Sequence, residues 1–130
     1  MSAHAASCRC GQLSLTATGE PVRVSVCHCL DCKKRSGSSF AAQVRFPADQ
    51  VAITGTSNHY AHAGNYGVTR FHFCPSCGSH VYYRHDDAPD TIAIPIGMLD
   101  DPYAFAPSIS VFGSRKHDWV EIKGTTEDFG

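Results

Sequence analysis

The sequence predicts a mainly β fold made of short strands, with little helix. Short segments alternate between apolar and polar residues, and Gly, Pro and Asn residues separate them. Two of these segments flank a closely spaced cysteine pair, which indicates a zinc knuckle at the tip of a hairpin. A hydrophobic share of 42% is ordinary for a globular protein and excludes intrinsic disorder. We expect one domain over residues 1–130, with a core at about 8–122.

The predicted strands follow one another along most of the chain. The first alternates with period two, and the third ends at Pro47. A segment rich in Gly and Asn, ending at Tyr66, separates the fourth strand from the fifth. A single helical turn is expected at about Leu30–Ser36, opened by Asp31. The strands are expected at residues 12–18, 23–26, 40–46, 51–55, 68–73, 80–84, 91–96 and 110–112.

The charge balance argues against nucleic acid as a partner. The chain has 11 basic and 12 acidic residues, so it lacks the basic excess that binding to a phosphate backbone requires. Its N-terminal residues lack the features of a signal peptide, and no stretch approaches the ~20 apolar residues that span a bilayer. We therefore expect a cytoplasmic protein without a membrane partner, in which clustered cysteines bind metal rather than form disulfides.

Seven cysteines occur in three closely spaced groups. The groups are Cys8-x-Cys10, Cys27-x-Cys29-x-x-Cys32 and Cys74-x-x-Cys77. Gly11 and Gly78 directly follow the first and last groups, where a glycine lets the backbone curl beneath a metal and direct N–H groups at sulfur. These two groups therefore look like halves of one closed, tetrahedral zinc site. Buried or incidental cysteines are the alternative, although two properly spaced pairs that both end in Gly rarely arise together. The predicted ligands of this structural zinc are Cys8, Cys10, Cys74 and Cys77.

The remaining cysteines, Cys27, Cys29 and Cys32, lie close enough in sequence to converge on a second zinc ion. Three protein ligands leave one position open, which distinguishes catalytic zinc sites from structural ones. Such a site holds its ion less tightly than a closed one. Two alternatives stay open: a distant His completes a second structural site, or the thiols bind no metal. His28, between two of these ligands, is expected beside the site or in solvent.

The cysteine motifs resemble those of the glutathione-dependent formaldehyde-activating enzyme family, which also includes centromere protein V. The motifs that carry the resemblance are CHCLDCKKRSGSSF at residues 27–40, Cys8-x-Cys10-Gly11 before it and FCPSCG at residues 73–78 after it. The resemblance extends over about residues 8–119. It implies a β-tent fold, the same two zinc sites, and a carbon–sulfur lyase activity that forms S-(hydroxymethyl)glutathione.

One position departs from the family pattern. Members commonly carry a His in the late strand that precedes a Ser-x-Lys-x-x-Trp stretch, and Ser110 stands at the corresponding position here. If that His assists substrate binding or proton transfer, this chain lacks it. The resemblance therefore supports the fold and the metal sites more strongly than the particular reaction.

A zinc ion held by three thiolates is a poor Lewis acid, because the thiolates offset its charge. A thiol bound at the open position would instead ionise and stay nucleophilic. We therefore expect a small, glutathione-like thiol as substrate, attacking a carbonyl such as formaldehyde. The run Lys33, Lys34 and Arg35 is a candidate for holding its carboxylates, although solvated charges are the simpler reading. The alternative function is a non-catalytic zinc-binding module for a protein partner.

Several aromatic residues and histidines have predicted places. Trp119 is expected in the core, whereas His72 and His80 are expected to face each other across the hairpin near the closed site. Four more aromatic residues are expected to fill the core between sheets rather than stack on a ligand. They are Phe71, Phe73, Tyr82 and Tyr83.

Overall fold

A computed structural model describes residues 1–64 and 67–130, and in these ranges the chain forms two β-sheets and one α-helix. The helix, α1, spans Leu30–Ser36, and short 3₁₀ turns occupy Ala48–Gln50, Ile96–Met98 and Gly113–Arg115. The strands are β1 (Ala3–Ser7), β2 (Ser14–Thr18), β3 (Arg23–Cys27), β4 (Ala41–Pro47), β5 (Val51–Thr54), β6 (Asn58–Gly64), β7 (Gly67–Phe73), β8 (His80–His85), β9 (Ala88–Pro95), β10 (Ile109–Val111) and β11 (Glu127–Phe129). The mainly β prediction is confirmed.

The predicted strands and helix are present in the structure, although the bounds of the strands differ from the predicted ones. Each predicted strand overlaps one of β2 to β5 or β7 to β10, and α1 has the predicted bounds. The residue that caps α1 is Cys29 rather than Asp31, which lies in the first turn. Strands β1, β6 and β11 were not predicted. The Gly- and Asn-rich segment contains β6, while its predicted end at Tyr66 lies outside the described residues. Across the described ranges, no helix is long and apolar enough to cross a membrane.

The two sheets differ in size and connectivity. The smaller has the order β1-β2-β5 and is antiparallel throughout. The larger has the order β11-β10-β3-β4-β9-β8-β7-β6. It is antiparallel except at one end, where β10 runs parallel to both β3 and β11. The parallel pairing brings Val111 of β10 opposite Cys27, the last residue of β3.

The main core combines residues of the smaller sheet with one set of residues of the larger sheet. One buried apolar cluster contains Leu13, which precedes β2, Leu15 of β2, and Val44 and Phe46 of β4. Burial of such side chains is the main favourable contribution to folding. Because successive residues of a strand point to opposite faces, the alternate residues of β4 must lie on the other face.

That other face of the larger sheet carries polar and ionisable side chains around a cavity. Within each of four strands, these residues are an even number of positions apart, as expected for side chains on one face. They are Arg23 and Cys27 on β3, Gln43 and Arg45 on β4, Thr69 and Phe71 on β7, and Tyr83 and His85 on β8. Strands β4 and β8 therefore contribute residues both to the core and to the candidate site.

The aromatic predictions are correct in part. Tyr82 and Tyr83 are buried, whereas Phe71 and Phe73 are only partly buried and line an open groove. The prediction that Trp119 lies in the core is wrong, because its side chain is 72% exposed and stacks on His117. Aromatic character alone does not specify burial, since much of a folded surface is apolar.

Phe46→Ala tests the core. Phe46 is fully buried in the main cluster, so the truncation should lower the free energy of unfolding by about 3–5 kcal/mol, through lost burial and a cavity. Urea denaturation of the zinc-loaded protein measures the change. The control is Trp119→Ala, which should stay within about 0.5 kcal/mol of the parent. Equal losses in the two variants would contradict this core assignment.

Candidate functional site

The first cysteine cluster contains Cys8, Cys10, Cys74 and Cys77, whose sulfur atoms all lie within 4.8 Å of one another. The Sγ atoms of Cys8 and Cys10 are 3.6 Å apart, and those of Cys10 and Cys74 are 3.7 Å apart. Tetrahedral Zn–S bonds of about 2.3 Å would separate neighbouring sulfurs by about 3.8 Å. The four thiols therefore fit a zinc ion without rearrangement.

Matching backbone turns prepare the two halves of this four-cysteine cluster. The N–H of Gly11 donates to the carbonyl of Cys8 at 3.1 Å, and the N–H of Gly78 donates to the carbonyl of Cys74 at 2.8 Å. Both glycines have positive φ, 86° and 78°, a conformation that glycine adopts without strain. The predicted curl beneath the sulfurs is therefore present at both halves.

Hydrogen bonds to sulfur favour the ionised form that a metal requires. The Cys8 and Cys74 sulfurs accept from the N–H groups of Leu13 and Ser76, both at 3.4 Å. Hydrogen bonding with Ser79 lowers the pKa of the Cys77 thiol to about 5. Donation to a thiolate stabilises its charge, so these contacts suit metal ligands.

Gln12 ties the four-cysteine cluster to the segment after β5. Its Nε2 donates to the Cys74 sulfur at 3.0 Å and to the Thr56 carbonyl at 2.7 Å. The N–H of Thr56 returns a 3.0 Å bond to Gln12 Oε1. One side chain therefore joins three segments that are distant in sequence, a role that no sequence pattern indicated.

The second cluster contains Cys27, Cys29 and Cys32, whose sulfurs also lie within 4.8 Å of one another. Cys27 ends β3, and Cys29 caps α1 by accepting a 3.2 Å hydrogen bond from the N–H of Cys32. The short helix closes at Gly37, which is left-handed and donates to the Lys33 carbonyl. A strand end and one helical turn therefore suffice to bring the three sulfurs together.

Proton sharing distinguishes the three thiols. The hydrogen bond between Cys27 and Cys32 lowers the pKa of Cys27, and the same bond together with burial raises that of Cys32. Burial also raises the pKa of Cys29. Cys27 is thus the most acidic of the three, and a bound metal ion would displace the remaining protons.

The three-cysteine cluster lines a cavity of about 80 Å³, called here the three-cysteine cavity. Asp31, Arg35, His62 and Phe71 line both this cavity and an adjoining space of about 430 Å³, the aromatic groove. A third space shares other residues with the cavity and is called the arginine depression. The residues it shares are Arg23, Arg45, His85 and Val111. Two larger spaces therefore adjoin the three-cysteine cavity.

The three predicted cations occupy different places. Arg35 lines the three-cysteine cavity, where its guanidinium lies 5.1 Å from the Phe71 ring centroid and 5.3 Å from that of Tyr83. Lys34 lines the aromatic groove, whereas the Nζ of Lys33 donates to the Arg115 carbonyl. The structure thus brings Arg35 to the three cysteines and directs Lys33 elsewhere.

The most informative residues that sequence reasoning missed are Arg23, Arg45 and Tyr83. The Nη2 of Arg45 donates to the Tyr83 hydroxyl at 3.4 Å, and burial raises the pKa of Tyr83. Strand alternation could have found Arg23, which shares a strand face with Cys27. No local signal could have found Tyr83, because its approach depends on the order of strands in the sheet.

The histidine predictions need correction. His28 is 1% exposed and packs near Phe40, so it does not face solvent. His72 and His80 do not face each other, because β7 and β8 pair His72 with Tyr82 and Phe73 with His80. An irregularity after His72 shifts the register there.

His80 instead lies beside the candidate site. Its Nδ1 is 3.0 Å from the Nη1 of Arg35, and burial together with that charge lowers its pKa to about 4. Ser110, the departure from the family pattern, lines a separate cleft with His28 rather than the three-cysteine cavity. The neighbouring Val111 faces that cavity, as strand alternation requires.

Fold and site together define a small, mainly β protein with two cysteine clusters suited to zinc. The chain belongs to the glutathione-dependent formaldehyde-activating enzyme family, whose sequence model matches residues 3–115. A crystal structure of a Rhodobacter sphaeroides protein is similar, with a TM-score of 0.58 and 16% sequence identity over 75% of this chain and 88% of that one. At that identity the likeness shows the fold alone. No curated protein matches the chain.

Removing one cysteine from each cluster should have different consequences. Cys74→Ser opens the four-cysteine cluster and should unfold the chain, because structural zinc can contribute about 10–16 kcal/mol. Cys29→Ser should stay folded with one zinc fewer, since Ser preserves the cap of α1. Zinc content by mass spectrometry and far-ultraviolet circular dichroism measure both effects. Equal loss of structure in the two variants would contradict the division into a structural and an open site.

Proposed function

We propose that the chain is a zinc-dependent enzyme of the carbon–sulfur lyase type, acting on a small-thiol adduct. The reaction is S-(hydroxymethyl)glutathione formation from glutathione and formaldehyde. Family membership supports this pair of substrates. The observation that carries the proposal is the three-cysteine cluster: among the described residues its metal-binding group includes no His, Asp or Glu, and it lines a cavity. A fourth position is therefore open to a ligand from solution.

Cys27, Cys29 and Cys32 would hold the zinc ion, which when bound would keep a substrate thiol ionised near neutral pH. The N–H of Cys32 already donates to the Cys29 sulfur and stabilises negative charge there. Cys27 and Cys29 are buried, so water has little access to two of the three sulfurs.

Carbon–sulfur bond formation requires two proton movements. The thiol gives its proton to a base, its sulfur attacks the carbonyl carbon, and the carbonyl oxygen takes up a proton from solvent to become the hydroxyl group of the adduct, while the base returns its proton to solvent. His62 lines the three-cysteine cavity, and its Nε2 lies 3.1 Å from Asp31 Oδ1. Because Nε2 faces the carboxylate, Nδ1 is the ring nitrogen that would accept the thiol proton. We assign His62 the role of proton acceptor.

Tyr83 is suited to donate a hydrogen bond to the carbonyl oxygen of the substrate. Its own oxygen accepts a hydrogen bond from Arg45, which leaves the O–H free to donate into the cavity. Burial raises the pKa of Tyr83 above the usual value of about 10, so the phenol stays protonated at neutral pH. A fixed donor near a developing negative charge lowers the barrier to carbonyl addition. We assign Tyr83 to stabilise that oxygen.

Calorimetric titration of the zinc-loaded protein with glutathione tests the proposal. We expect saturable binding that disappears in Cys29→Ser, because that variant loses the open site while keeping its fold. Lys123→Gln is the control, since it removes an exposed cation outside the described cavities. Absence of binding at millimolar glutathione would overturn the mechanism. Binding without acceleration of adduct formation, followed by NMR, would favour the zinc-binding module.

Tyr83→Phe separates binding from chemistry. The loss of one O–H donor should lower kcat for adduct formation about 10²-fold, while the Kd for glutathione changes less than about threefold. Stopped-flow assays corrected for the uncatalysed reaction give kcat. An unchanged kcat would remove Tyr83 from the mechanism.

A further inference from the structure

Two arginines face each other at the edge of the three-cysteine cavity. Arg23 of β3 and Arg45 of β4 are direct partners in the antiparallel register. Both line the three-cysteine cavity and the arginine depression beside it. Like charges directly opposite each other on neighbouring strands are destabilising. Such a pair therefore concentrates positive charge on one wall of the cavity, where it favours a bound anion.

The surroundings leave hydrogen-bonding capacity for a ligand. The Nε of Arg45 and the Oε1 of Gln43 are buried and have no hydrogen-bond partner within the described part of the chain. Gln43 is 3% exposed, and its Nε2 donates to Ser25. Buried polar atoms are normally satisfied, so a bound molecule is expected to complete these two. The Arg45 Nε–H can donate to a carboxylate, whereas the Gln43 Oε1 can accept only from an N–H or O–H of the ligand.

His85 and Asp87 also line the arginine depression. His85 forms a 2.7 Å hydrogen bond with Thr69, and burial, followed by the charges of Arg45 and Arg23, lowers its pKa. Asp87 is the acidic residue among the described lining of the arginine depression. On the other side of the three-cysteine cavity, Asp31 is already paired with His62. Two guanidinium groups therefore line the cavity wall beside the three cysteines.

The geometry points to an anion subsite formed by Arg23 and Arg45, which we infer binds a carboxylate of the thiol substrate while its sulfur reaches the three cysteines. This inference rests on the proposed function and adds a specificity determinant to it: the enzyme selects thiols that carry a carboxylate. Guanidinium groups bind carboxylates with two parallel hydrogen bonds. Lys33 is not part of this subsite, because its Nζ donates to the Arg115 carbonyl.

Thiols that differ in one group test the subsite. The probes are 3-mercaptopropionate, which carries a carboxylate, and 2-mercaptoethanol, which does not. Arg23→Gln and Arg45→Gln should each weaken 3-mercaptopropionate binding at least tenfold and change 2-mercaptoethanol binding less than twofold. Lys123→Gln, with the same change in charge, should affect neither. Equal losses for both thiols, or no loss for 3-mercaptopropionate, would overturn the inference.

A second measurement uses the unmodified zinc-loaded protein and does not depend on the variants folding. S-methylglutathione keeps both carboxylates but has no free thiol, and its diethyl ester lacks the carboxylate charges. We expect the ester to bind at least tenfold more weakly, whereas equal affinities would overturn the subsite. Binding of S-methylglutathione without adduct formation from glutathione would refute the proposed function and leave the subsite standing. Adduct formation from glutathione, together with equal affinities for S-methylglutathione and its diethyl ester, would support the proposed function and overturn the subsite.

Discussion

The alternation of side chains along β3 and β4 is the constraint on which the rest of the structure depends. On β4, Val44 and Phe46 enter the buried core, while Gln43 and Arg45 face the three-cysteine cavity. A slip of one residue in strand pairing would exchange these faces, burying a guanidinium and exposing the core. Burial of the core side chains therefore sets the strand register, and that register also determines which side chains face the cavity. Cys27, at the end of β3, follows the same alternation, which places the three-cysteine cluster beside the polar face.

The two cysteine clusters differ in the sequence separation of their residues and in the number of ligands they offer. The four-cysteine cluster joins residues 64 apart in sequence, so a bound zinc would link the N-terminal segment to the β7–β8 hairpin. The three-cysteine cluster is local, and its sulfurs are arranged by a strand end and one capped helical turn. A closed ligand set supports the fold, whereas an incomplete set beside a cavity leaves a coordination position for substrate. Under the proposed function, stability and chemistry would be assigned to separate clusters of the same ligand type.

Local features could be read from the sequence, and long-range ones could not. The cysteine spacings, their glycines and α1 depend on residues close in the chain, and their geometry follows the prediction. The meeting of Arg45 with Tyr83 depends on β9 lying between β4 and β8, an order that periodicity does not encode. Trp119 was misplaced, and a solvent-facing His28 was wrongly allowed, for a related reason: burial depends on what packs against a residue, which spacing alone does not give.

Cadmium-113 NMR tests the central claim, that the three-cysteine cluster accepts a substrate thiol as its fourth sulfur ligand. Cadmium replaces zinc at thiolate sites, and its chemical shift rises with the number of bound sulfurs. With both clusters loaded, we expect two resonances, of which the one from the three-cysteine cluster moves towards the other on addition of glutathione. The resonance of the four-cysteine cluster should stay in place. A spectrum unchanged by saturating glutathione would contradict the account.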